Sequence, residues 1–173
     1  MKINSLIPDN MHTLGFSFSQ ISHYRLMYDF SCYLNQKFIL QKYLQNNAYP
    51  LYRMLDKIND SYLFILTNYS HVPSTVISAN LFETNFELEK TYFYRINKNT
   101  LYDYFLVLYS FDNLLQDKIK QFLSNNPIIQ GYKSITQKKA RLSLNEQCEP
   151  MCNQQDYPFQ KHTVPFREPN NLH

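Results

Sequence analysis

The sequence predicts an α+β domain: a mainly antiparallel sheet with two helices packed on one face, followed by an extended C-terminal tail. Three observations carry this expectation. Strand-like segments come in runs and do not alternate strictly with helices, which favours antiparallel pairing. Two segments carry apolar stripes at helical spacing, and one layer of helices over one sheet buries both stripes. The chain also holds 15 Tyr and 13 Phe in 173 residues. A load of rings on that scale needs a core to bury or stack it.

Taken in order, residues 12–21 read as a strand. Leu14, Phe16 and Phe18 alternate there with Gly15, Ser17 and Ser19 at a period of two. Ser22 offers an N-cap to a helix reaching residue 35, with Leu26, Phe30 and Leu34 as its stripe and Met27 and Tyr33 beside it. Residues 38–43 and 51–58 read as strands around a turn at 45–50. Asp60-Ser61 turns the chain into 62–68, which is apolar on both faces and therefore central in the sheet. Pro73 and small polar residues make 70–80 a loop, and 86–95 reads as a strand. Residues 102–110 form the second continuous hydrophobic strand. Asp112 caps a helix over 113–123, with Leu114, Leu115, Ile119, Phe122 and Leu123 on its buried side. Ser124-Asn125-Asn126-Pro127 ends that helix, and 128–135 returns as the last strand.

Beyond residue 136 the periodicity fades. Pro150, Pro158, Pro165 and Pro169, four of the eight prolines, lie there among frequent Asn and Gln. The predicted organisation is an N-terminal arm over 1–11, an α+β domain over 12–136, and a Pro/Asn-rich tail over 137–173. That tail is expected to be disordered or ordered on a partner.

Composition excludes several function classes. Only Gly15 and Gly131 are present, so no glycine-rich loop can cradle a dinucleotide or a nucleoside triphosphate. The G-x-S-x-G nucleophile elbow is absent as well. A net charge of +3 is too mild to imply nucleic acid by itself. The opening Met1-Lys2-Ile3-Asn4-Ser5-Leu6-Ile7-Pro8-Asp9 lacks the apolar run of a signal peptide, and the apolar segments near 62–66 and 104–109 are too short to cross a bilayer. Cys32, Cys148 and Cys152 make an odd, low count that reads as reduced thiols in a cytoplasm.

Three segments together resemble a known family. They are the opening strand with His23-Tyr24-Arg25-Leu26 and its helix, then Asp103-Tyr104-Phe105-Leu106-Val107-Leu108, then Leu114-Leu115-Gln116-Asp117-Lys118-Ile119-Lys120 leading to Ile128-Ile129-Gln130-Gly131-Tyr132. Over residues 12–136 this order is similar to the IPExxxDY family, small cytoplasmic proteins of Bacteroidota. Asn97-Lys98-Asn99 stands where the family has Ile-Pro-Glu, so Asp103 and Tyr104 are the remnant of the motif. The resemblance implies a lineage and a cytoplasmic setting and brings no reaction with it.

The candidate sites divide by chemistry. Asp103, at the entrance of a strand, could act as a base or hold a cation, or else cap a turn while Tyr104 fills the sheet. His23-Tyr24-Arg25 could meet an anion at a helix start, although adjacent helical residues diverge by about 100° and side-chain packing beside the sheet is the simpler role. Cys148 and Cys152 have zinc-ligand spacing, but Pro150 interrupts the knuckle and His162 and His173 are too far apart for a compact pair. No metal or other cofactor is therefore expected. Lys133, Lys138, Lys139 and Arg141 form a small basic cluster that, with sheet aromatics, could contact RNA. The five histidines have no evident nucleophile partner. Tyr157, Phe159, Val164 and Phe166 lie among tail prolines, a composition suited to docking an extended segment on another protein. The expected function is thus a non-enzymatic interaction protein, with an RNA-associated accessory role as the alternative and no membrane partner.

Overall fold

The computed structural model describes residues 6–18, 23–45, 48–55, 58–76, 85–96 and 101–152. The elements run β1 (Met11–Phe18), α1 (His23–Leu34), β2 (Phe38–Leu44), β3 (Tyr49–Met54), β4 (Tyr62–Thr67), β5 (Tyr69–Val76), β6 (Asn85–Tyr92), β7 (Tyr104–Tyr109), α2 (Asn113–Asn125), β8 (Ile129–Ser134) and α3 (Lys138–Cys148), with a 3₁₀ turn at Glu149–Met151. Six strands form one sheet in the order β2-β3-β4-β7-β1-β8, and β5 pairs with β6 in a separate ribbon. Among the described residues every strand pairing is antiparallel. The α+β class read from the sequence holds.

Local chemistry sets the element ends. α1 stops at Asn35, whose φ of 51° places it in the left-handed region, and the Gln36 and Asn35 N–H groups return to Ser31 and Cys32 carbonyls. That is the Schellman pattern, which a short polar Asn tolerates. Asn59 and Asp60 also have positive φ, and the Ile58–Ser61 bridge around them makes the tight turn into β4. At α2, Asp112 Oδ1 accepts the Leu114 and Leu115 N–H groups, as its capping role predicts.

The two continuous hydrophobic segments, β4 and β7, pair with each other at the sheet centre. All six residues of β7 are buried, because the sheet is covered on both faces. On one face Tyr104, Leu106 and Leu108 join Leu26, Phe30 and Leu34 of α1 and Leu115, Ile119 and Phe122 of α2. On the other, Phe105, Val107 and Tyr109 join Ala140, Leu144 and Cys148 of α3 and Met151, with Phe93, Tyr94 and Tyr102 against them.

Three expectations need correction. The segment from residue 137 is not an extended tail throughout: 138–152 fold as α3 and the 3₁₀ turn and cover the second sheet face. Ala140, Leu144 and Cys148 recur every four residues, so each supplies one turn of a narrow buried stripe. The segment read as a loop around Pro73 contains β5, where Pro73 pairs with Leu88. A two-stranded ribbon leaves each strand one bare edge, and proline's missing N–H costs no ladder bond there. Leu114, assigned to the buried side of α2, is 82% exposed, because the buried stripe runs through Leu115, Ile119, Phe122 and Leu123.

Asn68 fixes where the ribbon leaves the main sheet. It lies between β4 and β5 and is fully buried. Its Nδ2 donates to the Tyr94 and Tyr102 carbonyls at 2.9 and 2.7 Å, and its Oδ1 accepts the Tyr94 N–H at 2.8 Å. Its backbone N–H donates to Asp103 O, and its carbonyl accepts from Phe93 N. One side chain thus satisfies the turning backbone of two other segments, which its burial requires.

Candidate functional site

The residues singled out in the sequence separate into core and surface. Asp103 is buried at the entrance to β7. Its carboxylate accepts the Phe18 N–H at 3.4 Å and the Tyr92 hydroxyl at 3.3 Å. Those bonds tie the end of β1 and the end of β6 to the start of β7, a cross-strand role distinct from capping a turn. Tyr104 is fully buried, stacks on Phe16 at 5.3 Å and shares a hydroxyl contact of 3.3 Å with Tyr69. Burial pushes its phenol far above the ordinary tyrosine value, so it stays neutral at any physiological pH.

Cys148 is packed in the core on the inner face of α3, and burial, reinforced by nearby Cys152, pushes its thiol well above the usual range. Cys152 Sγ donates to the Cys148 carbonyl at 3.8 Å. Among the described residues no cluster of three or more His, Cys, Asp or Glu is placed to hold a metal ion. His162 and His173 lie outside the described residues, as do Tyr157, Phe159, Val164 and Phe166.

The basic cluster is divided. Lys133, Lys138 and Lys139 are exposed. Arg141 turns inward, and its Nη2 donates to the Met11 carbonyl at 2.8 Å. The sheet aromatics Phe16, Phe64, Tyr104 and Phe105 are fully buried under the two covering layers, so base stacking is not open to them.

The outer face of α1 is built differently from the rest of the surface. Its inner face is the stripe Leu26, Met27, Phe30, Leu34. Its outer face presents Tyr24 and Tyr28, 67% and 65% exposed, one turn apart. Arg25 lies beside them and pairs with Asp29 at 3.0 Å. The Tyr24 ring lies tilted at 4.2 Å from that of His23, which is 6.0 Å from Tyr52 on β3. Exposed Tyr43 on β2 extends the group. Burial, then proximity to Tyr24 and Tyr43, pushes the Tyr52 phenol up to about 12, and burial lowers the His23 imidazole below its ordinary value. Tyr52 therefore stays uncharged at physiological pH, and the charges of Arg25 and Asp29 sit together as a pair. An open groove of about 530 Å³ runs on from Arg25, Asp29 and Tyr33 to Phe122 and Pro127 at the end of α2.

A second feature lies at the other end of α2. β8 pairs with β1 only as far as Leu14, where Ser134 sits opposite, and one more bond runs from Ile135 N to Thr13 O. Beyond that point the edge of β1 is not covered by β8. A cavity of about 200 Å³ opens there, lined by residues that include His12, Thr13, Gln116, Lys120 and Arg141. His12 Nε2 and Gln116 Nε2 both reach the Ser110 carbonyl, at 3.2 Å each. Sequence reasoning reached Arg141 but not Thr13, Gln116 or Lys120. Their convergence depends on where β8 ends relative to β1, which no local pattern encodes.

No family model, curated protein sequence or solved structure matches this chain.

Proposed function

We propose that this chain is a non-enzymatic interaction protein that docks another protein on the outer face of α1. The observation that carries this reading is the exposed tyrosine surface of Tyr24, Tyr28 and Tyr43 around Arg25. Tyr and Arg are, with Trp, the side chains enriched where protein interfaces concentrate their binding energy. Tyrosine contributes a large rigid ring and a hydroxyl that still bonds when covered, and it loses little rotamer freedom on docking. Tail residues Tyr157, Phe159, Val164 and Phe166 belong to the same proposal on their composition alone.

The lineage that goes with this reading is the IPExxxDY family. The three segments that resemble it form β1 with α1, β7, and α2 with β8, and β7, β1 and β8 are neighbours in the sheet. A cytoplasmic setting is part of the same proposal, and it is supported by Cys32, Cys148 and Cys152 all being unbridged.

The test is affinity capture from the native cell with the wild-type chain and with a Tyr24→Ser/Tyr28→Ser variant. Both positions are solvent-facing, so the variant should melt with the wild type. The expected result is a protein retained by the wild type and lost with the variant. Equal retention would overturn the α1 surface. A high A260/A280 ratio that salt reverses would replace the protein partner with RNA.

A further inference from the structure

The cavity at the uncovered edge of β1 is outside the tyrosine face and has different chemistry. Its lining places Lys120 of α2 and Arg141 of α3 on one space, with His12 and Thr13 of β1, and none of the lining residues is acidic. Arg141 spends Nη2 on the Met11 carbonyl, while its Nε is buried with no hydrogen-bond partner. The hydroxyl of Thr13, a residue 4% exposed, is likewise buried and unpartnered. A buried guanidinium N–H or hydroxyl without a protein partner is destabilising unless an ordered water, an ion or a ligand completes it.

We propose that this cavity binds the phosphate group of a small phosphomonoester. Lys120 and Arg141 bring two basic side chains, matching a group that carries a charge of about −1.5 to −2 at pH 7. Donors come from two helices and a strand, which suits a tetrahedral anion with oxygens in several directions better than a planar carboxylate. Ile119, Leu106 and Leu108 supply an apolar wall for a short organic stem. A volume of about 200 Å³ excludes a nucleotide-sized ligand. Nothing here is a glycine-rich loop or a helix N-terminus. The phosphate is held by side chains from elements that meet because β8 stops short.

The full-length chain is titrated by calorimetry with inorganic phosphate, glycerol phosphate and acetate, against sodium chloride at matched ionic strength. Saturable phosphate and glycerol phosphate binding is expected, with no heat from chloride. Lys120→Gln, on the exposed side of α2, should weaken it by roughly tenfold, the scale of one charge-assisted hydrogen bond. Arg141→Gln should weaken it further, and its melting curve separates lost binding from lost folding. Lys133→Gln, at an exposed position outside the cavity, should bind as the wild type does. No saturable phosphate binding, unchanged binding in Lys120→Gln, an equal loss in Lys133→Gln, or acetate binding as tight as phosphate would each overturn the proposal.

Discussion

Gly15 shows how one side chain, or its absence, sets a local limit on the sequence. It sits within β1, opposite Phe105 on β7 and Lys133 on β8. A Cβ there would lie 2.6 and 2.7 Å from Cδ2 and Cγ of the Tyr102 ring and 3.0 Å from Ile135 Cδ1. Cγ is the root of the ring and cannot swing aside as a chain end could. The ring is also held edge-on to Phe105 at 6.1 Å. The glycine is therefore a seat for an aromatic ring. Gly15→Ala should cost about 1–3 kcal/mol through overpacking. Chemical denaturation would read this as a lower midpoint with an unchanged slope. Adding Tyr102→Ala should make the double variant less destabilised than the two single losses added, because the clash needs both partners. Strict additivity would show that the contact does not limit packing. The other glycine works differently: Gly131 has φ of 98° and no neighbour within 4 Å, so there only the backbone conformation favours glycine.

At the scale of elements, what was legible followed the strength of the local signal. β1, β4, β7 and both large helices were read correctly because long apolar residues repeat at the right period. α3 was missed although Ala140, Leu144 and Cys148 have helical spacing. Its stripe has one large apolar side chain, Leu144, between Ala140, Cys148 and a buried Asn145, and Pro150, which reads as part of a tail, lies inside a 3₁₀ turn. The bonds that hold this segment are long-range. The Tyr109 hydroxyl donates to Asn145 Oδ1 at 2.7 Å, Arg53 Nη1 to the Met151 carbonyl at 3.2 Å, and Lys42 Nζ to Gln147 Oε1 at 3.3 Å. Such pairings, at sequence separations of 36 to 105, leave no periodic trace. The candidate sites were legible to a similar degree: Tyr24 and Arg25 were noted, but their shared surface with Tyr43 and Tyr52 comes from strand order. Because α3 is docked, Lys138 and Lys139 should be poor trypsin sites despite their exposure. Leu144→Ala should remove about 2–5 kcal/mol and turn them into early cleavage points. Rapid cutting after Lys138 in the wild type would show that α3 does not stay docked.

For the whole molecule, the consequence is a single sheet shared by two cores. α1 and α2 cover one face, and α3 with the 93–96 segment covers the other. Adjacent residues of β7 belong to different cores: Leu106 to the first, Phe105 to the second, both fully buried. The strand cannot keep one face while losing the other, since its backbone bonds to β4 and β1 serve both. Phe105→Ala and Leu106→Ala should therefore each destabilise the chain, by about 3–5 and 2–5 kcal/mol respectively. Against a typical total of 5–15 kcal/mol, either loss is large. Each variant should still melt in one transition, with circular dichroism and tyrosine fluorescence coincident. Suppose instead that the second face were a surface reserved for a partner. Phe105→Ala would then melt like the wild type, and only Leu106→Ala would fall. The burial of Phe105 under α3 argues for equal treatment of the two, and a Phe105→Ala variant with wild-type stability would remove α3 from the cooperative fold.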